Sequence, residues 1–277
     1  VTIFGIDYAW GRPSIASMKA GRVGFAARYL SHDTSGKNLS RSEAAGLAAA
    51  GIWSVVVWET TADRAKTGGR TGGAADAKAA RTQAGACGMP GSRPIYFAVD
   101  FDATRADWPK IAEYFKGVIS VLGLGRVGMY GGYDPVKWAF EDGLITYGWQ
   151  TYAWSEGRLE RRSHIYQYSN DQLMGGIDCD FNLAYKTDYG QWMPGRLPPP
   201  IPPPFPGRII TQPPPMIGTD VRTWQTQMKK RGWTIEMDGK FGPASERVLR
   251  AFQEEKGIVV DGELGPESWR AAWAAPT

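Results

Sequence analysis

Through residues 1–193, short apolar runs alternate with stretches whose apolar residues recur every three or four positions. The runs Ile3–Tyr8, Val23–Leu30, Ile52–Trp58, Pro94–Phe101, Arg126–Tyr130, Gly148–Ala153, His164–Tyr168 and Gly176–Phe181 predict eight strands. The periodic stretches Ser14–Ala20, Ser40–Ala50, Gly73–Cys87, Ala106–Leu122 and Pro135–Asp142 predict helices between them. Eight strands alternating with helices in under 200 residues predict an α/β chain closed into a compact (β/α)8 TIM-like barrel. The later helices are short or absent, so the barrel is expected to be irregular on that side. A flavodoxin-like doubly wound sheet is the alternative fold, and eight strands favour closure.

The pattern breaks at Pro194, where PGRLPPPIPPPFPGRIITQPPPMIG begins. Proline fixes its φ and donates no backbone hydrogen bond, so residues 194–217 predict an extended linker rather than helix or central strand. Beyond it, residues 218–277 predict a small all-α three-helix domain. Its faces are Val221, Trp224 and Met228, then Val248, Leu249 and Phe252, then Trp269 and Trp273. The second and third helices each follow one phrase, Asp238-Gly239-Lys240-Phe241-Gly242-Pro243 and Asp261-Gly262-Glu263-Leu264-Gly265-Pro266. Asp-Gly makes a tight turn, the apolar residue plugs the core, and Gly-Pro opens a helix where a missing N–H costs little. Asp238 and Asp261 therefore read as turn formers before ligand contacts.

Composition narrows the classes. Apolar residues make up 43% of the chain and there are 12 tryptophans, ample for a packed core. Net charge is +4 with no basic run, so no nucleic-acid partner is expected. No stretch of 18 apolar residues occurs, so no membrane span is expected. The start, Val1-Thr2-Ile3-Phe4-Gly5-Ile6-Asp7, reads as a strand rather than a signal peptide, and a processed signal stays open. Cys87 and Cys179 are two free buried thiols or one bridge. With two histidines, His32 and His164, and neither HExxH nor CxxC, no metal or cofactor is expected. GLGRVG at Gly123–Gly128 precedes a strand instead of following one, which argues against a dinucleotide loop.

The chemistry sits at strand ends. Asp7 ends the first run, Glu59 the third, Asp100 and Asp102 the fourth, and Asp178 and Asp180 the eighth. Residues i and i+2 of a strand share a face, so each pair is expected to point one way. Barrel sites lie at the C-terminal strand ends, so these carboxylates are expected to converge on one mouth. Tyr130, Trp149 and Gln167 end other strands, and aromatic rings with amides suit a sugar site. Arg28 can pair with the acids or lie at the surface as an ordinary arginine, while Tyr152 and Trp154 read as packing residues.

Two stretches carry resemblances. GIDYAW, VWET, IYFAVDFD, GMYGGY, WQTYAW, IYQYS and GIDCDFN together resemble the glycoside-hydrolase-like domain family (domain of unknown function 1906), itself similar to glycoside hydrolase family 25 lysozymes. The C-terminal DVRTWQTQMKKRGW with its two DGx(F/L)GP phrases resembles the type 1 peptidoglycan-binding domain. The resemblances imply a peptidoglycan glycosidase, a muramidase with no cofactor, whose catalytic carboxyls match Asp102 as general acid with Asp100, Asp7 and Asp178. Glu59, Arg28, Tyr130, Trp149, Gln167 and Asp180 are the expected substrate contacts. They further imply bacterial peptidoglycan as partner, a monomer, and action at the cell wall as a phage endolysin or a secreted hydrolase. The similar family 25 lysozymes have Glu where Asp102 stands, so a non-catalytic wall-binding barrel is the competing reading.

Overall fold

A computed structural model describes residues 2–196 and 203–274. The chain divides into two compact units, parted between Pro198 and Pro199.

The first unit is a closed eight-stranded barrel in the order β1 to β8. Its strands are β1 Ile3–Asp7, β2 Phe25–Leu30, β3 Trp53–Trp58, β4 Ile95–Val99, β5 Val127–Gly131, β6 Tyr147–Thr151, β7 Ile165–Met174 and β8 Ile177–Ala184. Helices α1 Ile15–Ala20, α2 Arg41–Ala49, α3 Arg64–Thr67, α4 Gly69–Ala86, α5 Trp108–Leu122 and α6 Tyr133–Glu141 pack outside. The central strands are apolar on both faces because one face lines the barrel and the other lies under helices. Phe25, Val55, Val57, Tyr96, Trp149 and Tyr189 fill the interior, while Val56, Trp58, Phe97 and Val99 face the helices. Helices α4 and α5 approach so closely that a Cβ on Gly73 would stand 2.0 Å from the Tyr114 carbonyl oxygen.

One strand departs from the expected arrangement. β1 to β7 pair in parallel, but β8 runs antiparallel to both β7 and β1. Gly175 and Gly176, at φ 59° and 80°, close a two-residue hairpin between Met174 and Ile177. Two consecutive positive φ values suit a tight hairpin and leave no room for a crossover helix. Asp178 and Asp180 therefore lie near the start of β8, not at its C-terminal end. They reach the mouth because the strand is reversed, and Asp7 pairs directly with Asp180.

The second unit packs α7 Thr219–Lys230, α8 Pro243–Lys256 and α9 Pro266–Ala274 with a two-stranded ribbon, β9 Met216–Ile217 against β10 Lys240–Phe241. Residues 197–202 of the proline-rich stretch lie outside the described residues. The rest of that stretch is not free spacer. Met193 and Arg196 pair with each other beside the first unit, and Ile210 is fully buried in the second, bridged to Leu264. Phe205 packs edge-on to Trp269, and Arg208 pairs with Asp220 at 2.7 Å. Prolines bar helix and ladder bonds, yet leave the interspersed Phe205, Ile210 and Met216 able to bury side chains.

Candidate active site at the barrel mouth

Odd-numbered residues of β1 and β2 point into the barrel, so Asp7 and Tyr29 meet there, the Tyr29 hydroxyl donating to Asp7 Oδ1 at 3.1 Å. Two amides complete the cage around Asp7, which is 2% exposed. Gln167 Nε2 donates to Asp7 Oδ2 at 2.9 Å and to Asp180 Oδ2 at 3.0 Å, and Asn182 Nδ2 donates to Asp7 Oδ2 at 2.8 Å. The orientation of both amides is fixed from behind. The Trp149 indole, which can only donate, bonds Asn182 Oδ1 at 2.8 Å, and the Tyr130 hydroxyl bonds Gln167 Oε1 at 2.9 Å. Each amide thus turns its NH2 group to the acids.

The carboxyls are tuned by burial and by one another. Burial and the neighbouring Asp180 charge push Asp7 up to about 7, against the pull of its three donors. Burial likewise raises Asp180. Asp100, one residue beyond β4, is half-buried and raised to about 6 by burial and by Glu59, with Lys37 opposing. Tyr29 and Tyr130 are held well above the usual phenol range, first by burial and then by the surrounding acids, so both stay protonated donors. Lys37 brings a cation to this mouth, pairing with Glu59 just after β3 and lying 4.3 Å from the Tyr29 ring centroid.

Asp7, Asp100, Asp180, Glu59, Tyr130 and Gln167 are thus assembled in one place. Four expectations need correction. Arg28 does not meet the acid cluster. It neighbours inward-facing Tyr29 and so points outward, fully buried, onto Glu43 at 2.7 Å, the Tyr8 carbonyl and the Lys37 carbonyl at 3.0 Å. Glu43 would be raised by burial, but Arg28 and Arg12 outweigh that and hold it low. Trp149 is 1% exposed and packs on Tyr96 and Tyr130, so it positions Asn182 beneath the mouth and offers no face to a ligand. Asp100 and Asp102 do not share a strand face, because β4 ends at Val99. Asp102 is exposed and has no hydrogen bond or ion pair among the described residues. Tyr152 and Trp154, read as packing, are instead 44% and 40% exposed beyond β6. Asp178 is exposed on the hairpin that β7 and β8 extend past the barrel, and lines the cavity there.

Asn182, Tyr29 and Lys37 were not anticipated. Asn182 stands two residues after Asp180 and shares its face, a signal present in the sequence. Lys37 carries no such signal, since it lies in the β2–α2 loop. A cavity of about 450 Å³ opens over this cage, lined by Asp7, Tyr8, Trp10, Tyr29, Asp178 and Asp180 among others. Among the described residues, no three His, Cys, Asp or Glu side chains are grouped to hold a metal ion. Cys87 and Cys179 are separate buried thiols. No described helix is long and apolar enough to cross a membrane.

In the second unit the repeated phrase is locked by a repeated device. Gln225 Nε2 donates to Asp238 Oδ1, the Lys240 carbonyl and Ser245 Oγ, while its Oε1 accepts from Gly239 N. Gln253 makes the same bonds to Asp261, Glu263, Ser268 and Gly262. Asp238 and Asp261 each also accept the backbone N–H two residues on, at 2.9 Å, as turn formers do. A groove of about 640 Å³ lies beside the first turn, lined by Lys229, Trp233, Glu236, Asp238, Lys240 and Pro243 among others.

Comparison with known proteins agrees with this layout. A Mycobacterium tuberculosis protein named "Putative peptidoglycan hydrolase Rv2525c" is 32% identical over 202 residues, covering 68% of this chain and 82% of that one. The crystal structure of that Tat-secreted protein with L-tartrate superposes with a TM-score of 0.64 at 30% identity, over 69% of this chain and 98% of its own. The modular autolysin LytC of Streptococcus pneumoniae, at 15% identity and TM-score 0.51 over 66% of this chain and 47% of its own, shares the fold. Residues 217–272 match the family described as "Putative peptidoglycan binding domain". Residues 16–184 match the "Rv2525c-like, glycoside hydrolase-like domain", and the chain belongs to that family.

Proposed function

We propose that this protein is a peptidoglycan glycosidase of muramidase type, held on the bacterial wall by its C-terminal unit. The observation that carries the reading is the mouth itself. Asp7 and Asp180 share one amide donor, and half-buried Asp100 stands apart with its carboxyl free of hydrogen bonds among the described residues. Glycoside cleavage needs one protonated and one ionised carboxyl, and crowded buried acids divide those states.

In this reading Asp100, not Asp102, donates the proton to the leaving glycosidic oxygen. Burial and the Glu59 charge hold its proton to about pH 6, where an ordinary aspartate has lost it. Asp180 and Asp7, fixed by Gln167, Asn182 and Tyr29, face the positive charge that develops on the sugar or orient the reacting N-acetyl group. Lys37 pairs with Glu59 beside them. Glu59 and Tyr130 line the approach.

The C-terminal unit supplies the wall contact, with the groove beside Trp233 and Lys240 as its binding face. Linking two binding units raises the local concentration of the second, which favours an insoluble polymeric substrate. The site of action is the wall, reached by secretion, as the mycobacterial relative is Tat-secreted, or by release from a phage-infected cell. Digestion of purified walls followed by mass spectrometry of the products tests the reading. New reducing ends on muramic acid are expected. Freed amino groups without reducing ends would mean an amidase, and wall binding without either product would mean a non-catalytic barrel.

A further inference from the structure

The rim of the barrel carries a side chain that the carboxylate chemistry does not use. Trp10, in the loop after β1, is 59% exposed. A tryptophan that open to water is ordinarily mobile, yet this one is held at both ends. Its indole N–H donates to Ser35 Oγ at 2.7 Å, and its carbonyl accepts from Arg12 Nη1 at 3.1 Å. Arg12 also ties down the facing loop through the Gly36 carbonyl at 2.9 Å and the Asn38 carbonyl at 3.1 Å, and is braced by Glu43 at 3.0 Å. The buried Arg28 pins the same loop through the Lys37 carbonyl. Two arginines thus fix the two loops that frame one exposed indole.

That indole is linked step by step to the acid cage. Lys37 Nζ lies 5.7 Å from the Trp10 ring centroid and 4.3 Å from that of Tyr29, whose hydroxyl bonds Asp7. Trp10 and Asp7 line the same 450 Å³ cavity. A rigid, apolar, flat face beside fixed carboxylates is what a pyranose needs: its axial C–H groups stack on the ring while its hydroxyls meet polar groups at the edge. Pre-fixing the ring lowers the ordering cost of binding.

Resting on the glycosidase reading, we propose that Trp10 is a stacking subsite for an N-acetylated pyranose of the glycan strand, placing the adjoining glycosidic bond over Asp7 and Asp180. Lys37 is then the wall between this subsite and the reacting centre, its ammonium shared by Glu59 and two aromatic faces.

The test is titration of the full chain with a β-1,4-linked N-acetylglucosamine tetramer, followed by the indole N–H signals in NMR. The Trp10 signal is identified as the one missing from Trp10→Phe. It should shift on titration, with Trp10→Ala binding at the barrel at least ten-fold weaker and Trp10→Phe recovering much of the loss. The thermal midpoint of Trp10→Ala should stay close to wild type, because the side chain is mostly exposed. If barrel signals move while the Trp10 signal does not, or if Trp10→Ala binds as wild type does, the subsite is wrong and the glycan reading stands. If no barrel signal moves, the glycan reading fails and the subsite with it.

Discussion

Asp7→Asn separates stability from activity in a way that follows from the cage around Asp7. An asparagine fits that cage. Its Oδ1 in the Oδ2 position accepts from Gln167 and Asn182, and its NH2 faces the Tyr29 hydroxyl, which can accept. What is lost is the charge. The folded pKa of Asp7, about 7, lies above the ordinary 3.8, so the fold favours the protonated form. Its contribution to stability is full below the ordinary value and is lost progressively as pH rises through about 7. The rise from 3.8 to about 7 sets an upper limit of about 4 kcal/mol of stability that wild type gives up by pH 8 and the asparagine variant keeps. Sharing of that penalty with Asp180 lowers the figure, so we expect a gain of about 1–4 kcal/mol, or roughly 2–16 °C for a unit of this size. Calorimetry at pH 4 and pH 8 measures it, with the C-terminal transition as internal control. The variant should melt higher than wild type at pH 8 and close to it at pH 4, and should clear walls poorly near pH 7 and above, where wild-type Asp7 carries its charge. A variant less stable than wild type at pH 8, or a gain equal at both pH values, would refute the charge argument.

Asp100→Asn should reduce wall hydrolysis by about 10²–10⁴-fold, as loss of a general acid does, while Asp102→Asn stays within a few-fold; reversed outcomes in reducing-end assays would return the role to Asp102. Hydrolysis should fall as pH rises through about 6, where Asp100 loses its proton, and a rate flat to pH 9 would count against its role as general acid. A fragment of residues 203–277 should melt well above one of residues 218–277, because the shorter piece loses the buried Ile210 and the Phe205–Trp269 contact, and burying such a side chain is worth about 1.5–3 kcal/mol. Gln225→Ala and Gln253→Ala should each lower the unfolding free energy of the C-terminal unit, read from chemical denaturation, by about 1–3 kcal/mol, since each leaves buried turn groups unpaired; an unchanged free energy would mean that water replaces the amide.

The alternation of apolar runs and helical stretches sufficed to place eight strands and five of the six outer helices, because a barrel strand buried on both faces must be apolar throughout. The same local logic marked Asp7, Glu59 and Asp100 as strand-end acids, and the Asp-Gly phrases as turns. It went wrong where a local rule depends on something distant. Gly175-Gly176 is a hairpin signal, but its consequence, a reversed β8 that brings Asp180 opposite Asp7, appears only once the barrel closes. Arg28 and Tyr29 are both polar neighbours in one strand, and only the placement of the barrel axis decides that the tyrosine faces the acids and the arginine faces Glu43. The proline-rich stretch reads as spacer by composition, yet Ile210 within it is buried, because burial depends on a partner surface some 50 residues on at Leu264. Asp102 shows the limit most plainly. Its spacing from Asp100 is the same whether or not the strand continues, and β4 stops at Val99. Which acids carry protons is likewise a tertiary property, since burial and neighbouring charge set it, and residues from separate strands supply both.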